Sequence, residues 1–113
     1  YKICQDANLS FVCCPSAWID HPRREDLVPS HNALTPVDEL IERGLTVALG
    51  SDNICDVYKP FCDGDMVNEM RLLIDGCKIY DDDVLLEILV YNGFEVIGLA
   101  DRMEDFGVYK ISN

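Results

Sequence analysis

The chain has 113 residues, a length that normally corresponds to one small domain. Hydrophobic residues make up 49% of it, so the chain can bury a core and does not resemble a disordered segment. The formal net charge of −12 disfavours binding to nucleic acids and to anionic membranes, since both require clustered Lys and Arg. We therefore expect neither nucleic acid nor membrane among its partners.

The six cysteines favour a cytoplasmic protein with reduced thiols. Cys13 and Cys14 lie in an apolar run, where cysteine usually acts as a small hydrophobe. The sequence contains no C-x-x-C pair, so a structural zinc knuckle is not expected. No apolar stretch approaches the roughly 18–20 residues that cross a bilayer, and no signal peptide is visible. Because the chain begins at Tyr1 rather than Met, we expect its true N-terminus to be missing.

Two short apolar runs predict buried strands. The first, LSFVCC at 9–14, ends at Pro15 and is followed by a long polar stretch, 16–34, that predicts a loop. The second run is LTVAL at 45–49. A helix predicted between them would make a βαβ unit, so we expect the two strands to be parallel.

The helix of this unit is predicted from TPVDELIERG, residues 35–44. Thr35 is a suitable N-cap and Pro36 suits the first helical position. Gly44 is a suitable C-terminal stop.

The second half of the chain is predicted to be mainly helical. Apolar residues at helical spacing predict helices over about 66–74 and 81–93, which we expect to end at Gly76 and at Asn92-Gly93. The remaining predicted elements are a short helix and a final strand, at 94–99 and 108–112.

Two buried parallel strands need neighbours on both sides, because otherwise their edges stay unpaired. The pattern therefore indicates a piece of a larger α/β protein.

The stretch GSDNICD, residues 50–56, follows the second predicted strand and carries two acids. Gly, Ser, Asp and Asn are ordinary turn residues, so a turn is one interpretation. A catalytic carboxylate at the C-terminal edge of a parallel sheet is the other, with Asp52 as the candidate. Asp56 is expected to be a loop or capping residue.

Two segments resemble the amidohydrolase superfamily, in the branch of cytosine deaminase and N-isopropylammelide amidohydrolase. HNALTPVDELIERGLTVALGSDNICDVYKPFCDGDM, residues 31–66, resembles the C-terminal region of the barrel in these enzymes. VYNGFEVIGL, residues 90–99, resembles the helix pair that follows the barrel. The resemblance extends from residue 9 to about residue 108.

The resemblance implies an α/β fold that is the C-terminal portion of a (β/α)₈ TIM barrel. FVCC would be strand seven and LTVAL strand eight, followed by their helices, and the portion would be incomplete as a barrel on its own. Residues 1–113 would form a single segment without an internal boundary. The implied activity is metal-dependent hydrolysis of C–N bonds other than peptide bonds, by a deaminase or amidohydrolase acting on a cyclic amide, amidine or amino-heterocycle.

The resemblance also implies roles for three residues. Asp52 matches the aspartate that ends strand eight, which contacts the catalytic metal and shuttles protons beside a metal-bound water. Asn53 and Tyr58 match substrate-binding positions. The metal would be zinc or iron in the complete enzyme, and because His21 and His31 match no ligand position, we expect this chain alone to bind none.

Other interpretations remain open. The chain could be a catalytically inactive remnant that acts as a self-associating or protein-binding α/β module, or a small acidic binding domain. On the enzyme interpretation its partners are a small heterocyclic substrate and the rest of the barrel. On that interpretation we expect the isolated chain to lack activity and not to remain a monomer, because most of the barrel strands are absent.

Overall fold

The computed structural model describes residues 1–19, 35–57 and 59–111. Short helices and two strands alternate in its first half, and its second half is helical. The elements in chain order are α1 (Lys2–Asp6), β1 (Phe11–Cys13), α2 (Pro15–Ile19), α3 (Val37–Glu42), β2 (Val47–Leu49), α4 (Met66–Cys77), α5 (Asp82–Leu86), a π-helical turn (Glu87–Tyr91), α6 (Asn92–Val96) and a 3₁₀ helix (Ala100–Phe106).

The strands β1 and β2 pair in parallel and form a two-stranded sheet. Phe11 lies opposite Val47 and Cys13 opposite Leu49. Both strands fall within the predicted runs and α3 lies between them in the chain, so the predicted βαβ order and the parallel pairing are confirmed. The assignment of the strands to positions seven and eight of a barrel stays a prediction.

One apolar core joins the sheet to the helices that pack against it. All three residues of β2 are buried, as expected for a strand covered on both faces. Trp18 is half-buried and packs against the core, so it covers apolar surface. The buried members of the core are Cys13, Val37, Leu40, Leu45, Val47, Leu49, Leu73, Leu85 and Ile88.

The start of α3 differs from the prediction that Thr35 caps it. The helix begins at Val37 with Pro36 as its N-cap, and no side chain caps it. The Val37 N–H already donates to the Thr35 carbonyl over 2.8 Å, so a backbone turn replaces the expected hydroxyl cap.

The end of α3 is the predicted one. Gly44 has φ +70° and its N–H donates to the Ile41 carbonyl over 2.8 Å. The next residue, Leu45, donates to the Leu40 carbonyl over 3.1 Å. These two bonds form a Schellman motif, which turns the chain from the helix into β2.

The prediction that α4 ends at Gly76 is wrong. The helix continues to Cys77, and Lys78 takes the left-handed position with φ 57°. The Lys78 N–H donates to the Ile74 carbonyl over 2.9 Å. A glycine inside a helix costs only about 1 kcal/mol, which the packing of α4 on the core outweighs.

The prediction that Asn92-Gly93 ends a helix is also wrong, because a helical run continues from Asp82 to Val96. The Asn92 side chain makes a tertiary contact instead of terminating the helix. Its Nδ2 donates to the Val47 carbonyl over 2.8 Å, which fixes α6 against β2.

Both chain ends differ from expectation. The helices α1 and α2 form where no helix was predicted, and α2 takes the first part of the expected loop; residues 20–34 lie outside the described residues. A 3₁₀ helix follows α6, and the described part of the predicted final strand, 108–111, has no strand pairing. The Tyr91 hydroxyl donates to the Tyr109 carbonyl over 3.3 Å and holds this tail against the π-helical turn.

The outer edge of β1 faces away from β2. Phe11 donates to the Thr46 carbonyl over 2.9 Å, and the Cys13 carbonyl accepts from Gly50 over 2.8 Å. Because successive backbone groups of a strand alternate in direction, the N–H and C=O of Val12 point outwards. Val12 is 53% exposed, so this edge is accessible.

Replacing Gly50 with Ala is expected to destabilise the fold by about 1–3 kcal/mol. The added Cβ would lie 2.8 Å from Val12 Cγ1 and 3.2 Å from Cys14 Sγ, at the point where the strands meet. Urea unfolding followed by circular dichroism measures the change. Gly93→Ala is the control: its Cβ would meet nothing within 4 Å, and in a helix it should stabilise by about 0.5–1 kcal/mol. Equal stability of the two variants would contradict the close approach at Gly50.

Candidate functional site

Asp52 lies at the C-terminal edge of the sheet, beside the residue that directly follows β1. It follows β2 by three residues, and its carboxylate is exposed. The carboxylate and the backbone N–H of Asp52 both act on the pKa of Cys14, which directly follows β1. Parallel pairing therefore places the candidate carboxylate at the edge where the sequence predicted it.

The backbone at Asp52 is left-handed. Asp52 has φ 62° and Cys55 has φ 47°, two of the four non-glycine residues with positive φ in the described ranges. This conformation costs roughly 1–2 kcal/mol for most residues, although Asp tolerates it better than most. Such positions concentrate at functional sites, but they also occur in ordinary turns, so the conformation is compatible with both interpretations of Asp52.

Asp56 organises the loop after β2, as predicted for a loop or capping residue. Its Oδ2 accepts a hydrogen bond from Asn53 Nδ2, and its Oδ1 accepts from the Lys59 N–H over 2.7 Å. Asn53 is half-buried, and this bond orients its side chain within the loop. Tyr58, the other predicted substrate-binding residue, lies outside the described residues.

A buried lysine that the sequence analysis did not single out joins the ends of the two strands. Lys59 is only 4% exposed. Its Nζ donates to Ser16 Oγ over 2.6 Å and to the Ser51 carbonyl. Ser16 follows β1 and Ser51 precedes Asp52, so one ammonium group holds both strand ends.

A buried glutamate completes this group. Glu69 lies in α4 and is 3% exposed. Its Oε2 accepts a hydrogen bond from the Ser16 N–H over 2.8 Å. Ser16 therefore contacts a buried cation through its hydroxyl and a buried anion through its backbone.

Helical spacing could have identified Glu69 from the sequence. It lies three residues after Met66 and four before Leu73, which places it on the apolar face of α4. An acid on that face is unusual and indicates a buried partner. Lys59 lies in an irregular stretch without periodicity, so no comparable signal identified it.

Lys59, Glu69 and Ser16 border a cleft of about 230 Å³ between the loop and α4. The cleft thus has one buried charge of each sign at its wall, together with polar residues of the loop. Its other lining residues are Pro60, Phe61, Cys62, Asp63, Asp65, Asn68 and Leu72.

The thiols beside the strands are poor nucleophiles. Burial raises the pKa of Cys13 to about 12. Burial, followed by the Asp52 carboxylate, raises the pKa of Cys14, although the Asp52 N–H opposes this change. Both side chains are therefore neutral thiols at physiological pH, and we do not assign them nucleophilic chemistry.

A complete metal centre does not form within residues 1–19, 35–57 and 59–111, where no three His, Cys, Asp or Glu side chains come together suitably. Asp52 is exposed at the sheet edge and could supply one carboxylate ligand. His21 and His31 lie outside the described residues. The described part of the chain therefore does not by itself fit a zinc or iron ion, which needs about three or four protein ligands.

One known protein shares a short segment of sequence with this chain. No protein-family model matches the chain. An uncharacterized protein of Haemophilus influenzae is 54% identical over 41 residues, which are 36% of this chain. The matched residues span 15% of the length of that protein.

The fold is similar to part of a deaminase of known structure. Crystal structures of 5-methylcytosine deaminase from Klebsiella pneumoniae, liganded with 5-fluorocytosine or with phosphonocytosine, each match 88% of this chain with a TM-score of 0.77. The sequence identity is 23%, and the match spans 25% of the length of the deaminase. At this identity the likeness concerns the fold.

The single changes Lys59→Met and Glu69→Gln are each expected to destabilise the fold by about 1–3 kcal/mol. Each removes one of two buried opposite charges and leaves the other without a nearby opposite charge. The double variant Lys59→Met/Glu69→Gln should cost less than the sum of the single changes, with a coupling of about 1 kcal/mol. Urea unfolding of the unchanged protein, the two single variants and the double variant measures this coupling.

The control is the exposed pair Lys110 and Glu87, whose charged atoms lie 3.5 Å apart. The same cycle there should give a coupling below about 0.5 kcal/mol, since exposed ion pairs contribute little. Strict additivity at Lys59 and Glu69 would show that the two buried charges do not act as a unit.

Proposed function

We propose that this chain is part of a hydrolase that cleaves C–N bonds other than peptide bonds, with an amino-heterocycle or a cyclic amide or amidine as substrate. The observation that carries the proposal is Asp52 at the C-terminal edge of a parallel sheet whose fold is similar to part of a deaminase. Because the chain spans a quarter of that deaminase, the activity belongs to a larger assembly of residues.

Within this proposal Asp52 holds and transfers a proton. A carboxylate is a suitable general base and acid when it lies within hydrogen-bond reach of the reacting atoms. Its exposure leaves it accessible to a substrate, and its backbone is left-handed, with φ 62°. Lys59 supports this geometry, because it binds the carbonyl of the residue before Asp52.

The substrate proposal has support from the apolar loop around Asp52. Ile54, Val57 and Phe61 are 58%, 86% and 96% exposed, an unusual concentration of apolar surface in one short loop. A flat heterocycle would bury such surface while its polar edge faced Asn53 and Asp52. Tyr58 belongs to the same segment of the chain, and we propose that it also contacts the substrate.

We propose in the same way that the complete enzyme uses a zinc or iron ion. Zinc or iron would supply Lewis acidity in such an enzyme, and Asp52 would be one of its ligands. The other ligands would have to come from residues outside the described ranges or from a longer chain.

We also propose a cytoplasmic location, from the reduced cysteines that the composition predicts. No helix in the described ranges combines the length and the apolar character needed to cross a bilayer.

Asp52→Asn is expected to lower kcat by at least about a hundredfold, because the amide keeps the shape but cannot accept or deliver the proton. The measurement is ammonia release from cytosine, 5-methylcytosine and related amino-heterocycles by the product of the full reading frame. Zinc and iron content is determined on the same preparation. Asp75→Asn, an exposed change on α4, is the control and should leave kcat unchanged.

Two outcomes would contradict the proposal. One is a folded, metal-loaded protein that releases ammonia from none of these compounds. The other is an active protein in which Asp52→Asn retains full kcat, which would assign the residue to the turn alone.

A second candidate function is favoured by the accessible edge of β1. An edge strand with outward-facing N–H and C=O groups can pair with another strand, from a second copy or from another protein. Val12 occupies the middle of this edge and is 53% exposed. On this proposal the chain is a self-associating α/β module without catalysis.

Val12→Lys is expected to weaken self-association at least about tenfold, since a lysine on an edge strand opposes pairing. Sedimentation velocity over a concentration series measures the monomer fraction. Val57→Lys adds the same charge to an exposed loop position and serves as the control. A wild-type chain that remains monomeric at every concentration would exclude this second function.

A further inference from the structure

Cys55 and Cys62 lie opposite each other at the two ends of the loop that follows Asp52. The Cys55 N–H donates to the Cys62 carbonyl over 2.8 Å. The Cys55 thiol lies 3.2 Å from the same carbonyl oxygen, to which it donates. The side chain of Cys55 is therefore directed at the backbone of Cys62.

The segment between the two cysteines is closed by its own hydrogen bonds. The Cys62 N–H donates to the Lys59 carbonyl over 3.2 Å, in a turn with Pro60 at its second position, where proline is favoured. Asp56 accepts from the Lys59 N–H over 2.7 Å. These bonds tie Lys59 to both Asp56 and Cys62, on either side of it in the chain.

Two contacts place the Cys55 side chain next to Cys62. The N–H and the sulfur of Cys55 both lie within hydrogen-bond distance of the Cys62 carbonyl oxygen, at 2.8 Å and 3.2 Å. A disulfide joins residues whose Cα atoms are roughly 4.4–6.8 Å apart, so it requires close backbones of this kind. To form the bond, the Cys62 side chain would have to turn towards the Cys55 sulfur.

Solvent exposure distinguishes Cys55 from the other five cysteines, whereas Cys62 belongs to the same half-buried class as Cys4, Cys14 and Cys77. Cys55 is exposed and Cys62 is half-buried, and both are free. Burial raises the pKa of Cys13, Cys14 and Cys77, which keeps those three as thiols rather than reactive thiolates.

We propose that Cys55 and Cys62 are a thiol pair that a low-molecular-weight disulfide, such as oxidised glutathione, converts to an intramolecular disulfide. The Cys55 thiolate attacks one sulfur of the oxidant, forming a mixed disulfide and releasing one thiolate. The Cys62 thiolate then attacks the Cys55 sulfur and releases the second thiolate. The protein loses two protons and two electrons, and the oxidant is reduced to two thiols.

The disulfide would close the loop that carries Asp56 and Lys59. It would hold the Lys59 ammonium against Ser51, and it would fix the wall of the cleft to which Cys62 belongs. The inference goes beyond the proposed hydrolase and does not depend on it, because every readout below is a property of the thiols.

The first experiment treats the folded protein with oxidised glutathione, blocks the remaining thiols with iodoacetamide and maps the peptides by mass spectrometry. We expect the first bond formed to join Cys55 to Cys62, with a mass loss of about 2 Da from the two hydrogens. The same equilibrium is then measured in 8 M urea. The equilibrium constant for forming the Cys55–Cys62 disulfide should be at least about tenfold larger in the folded protein than in urea, because the fold holds the two residues together.

Two variants test the order of the steps. Cys62→Ser should accumulate a stable mixed disulfide between Cys55 and glutathione, because the resolving thiol is gone. Cys4→Ser is the control, since Cys4 lies in α1, and it should form the same bond as the unchanged protein.

Three results would overturn the proposal. They are a first bond that joins other cysteines, a mixed disulfide on Cys55 that persists in the unchanged protein, and an equilibrium in urea equal to that of the folded state. Peptide mapping of the unchanged protein tests which cysteines form the first bond, even if a variant fails to fold.

Discussion

The parallel pairing of β1 and β2 is the constraint on which the rest of the structure depends. Parallel strands point their C-terminal ends to the same edge of a sheet, and this brings Cys14 and Asp52 together although they are 38 positions apart in the chain. An antiparallel pair would place them at opposite edges. The helix α3 makes the pairing possible, since parallel strands need a crossover connection.

Lys59 extends this constraint beyond the strands. Backbone pairing continues as far as Gly50, and the ammonium group then bridges Ser16 and Ser51 where the two chains diverge. A buried charge is costly unless it is hydrogen-bonded and compensated, and Glu69 lies on the other side of Ser16. Charged groups inside the protein thus help to hold the edge that carries the candidate carboxylate.

The sequence predicted those features that follow from local patterns. Continuous apolar runs identified both strands, and Gly44 identified the end of α3, because only a residue that accepts positive φ completes a Schellman motif easily. Asp52 was located from the same strand assignment and from a family resemblance. Its backbone lies at the C-terminal edge of the sheet, and its role in catalysis stays a prediction.

Features that depend on tertiary contacts were predicted poorly. Gly76 and Asn92 look like helix stops in isolation, but packing carries α4 through Gly76, and Asn92 bonds to β2 instead of its own backbone. Lys59 and Ser16 are 43 positions apart, and no local pattern reveals that they meet. The short helices α1 and α2 were missed for a different reason, since five-residue helices have too few residues to show periodicity.

The hydrogen bond from Asn92 to Val47 makes the two edges of the sheet chemically unequal. Backbone groups of β2 that turn away from β1 include the Val47 carbonyl, and a helix side chain already occupies that carbonyl. A further strand that packed beside β2 could not use the Val47 carbonyl as an acceptor, because Asn92 already bonds to it. Its pairing with β2 would have to begin closer to Leu49. Within the described residues no side chain is seen to bond to the outward-facing groups of Val12, so a single amide makes the β1 edge the easier of the two for a further strand to join.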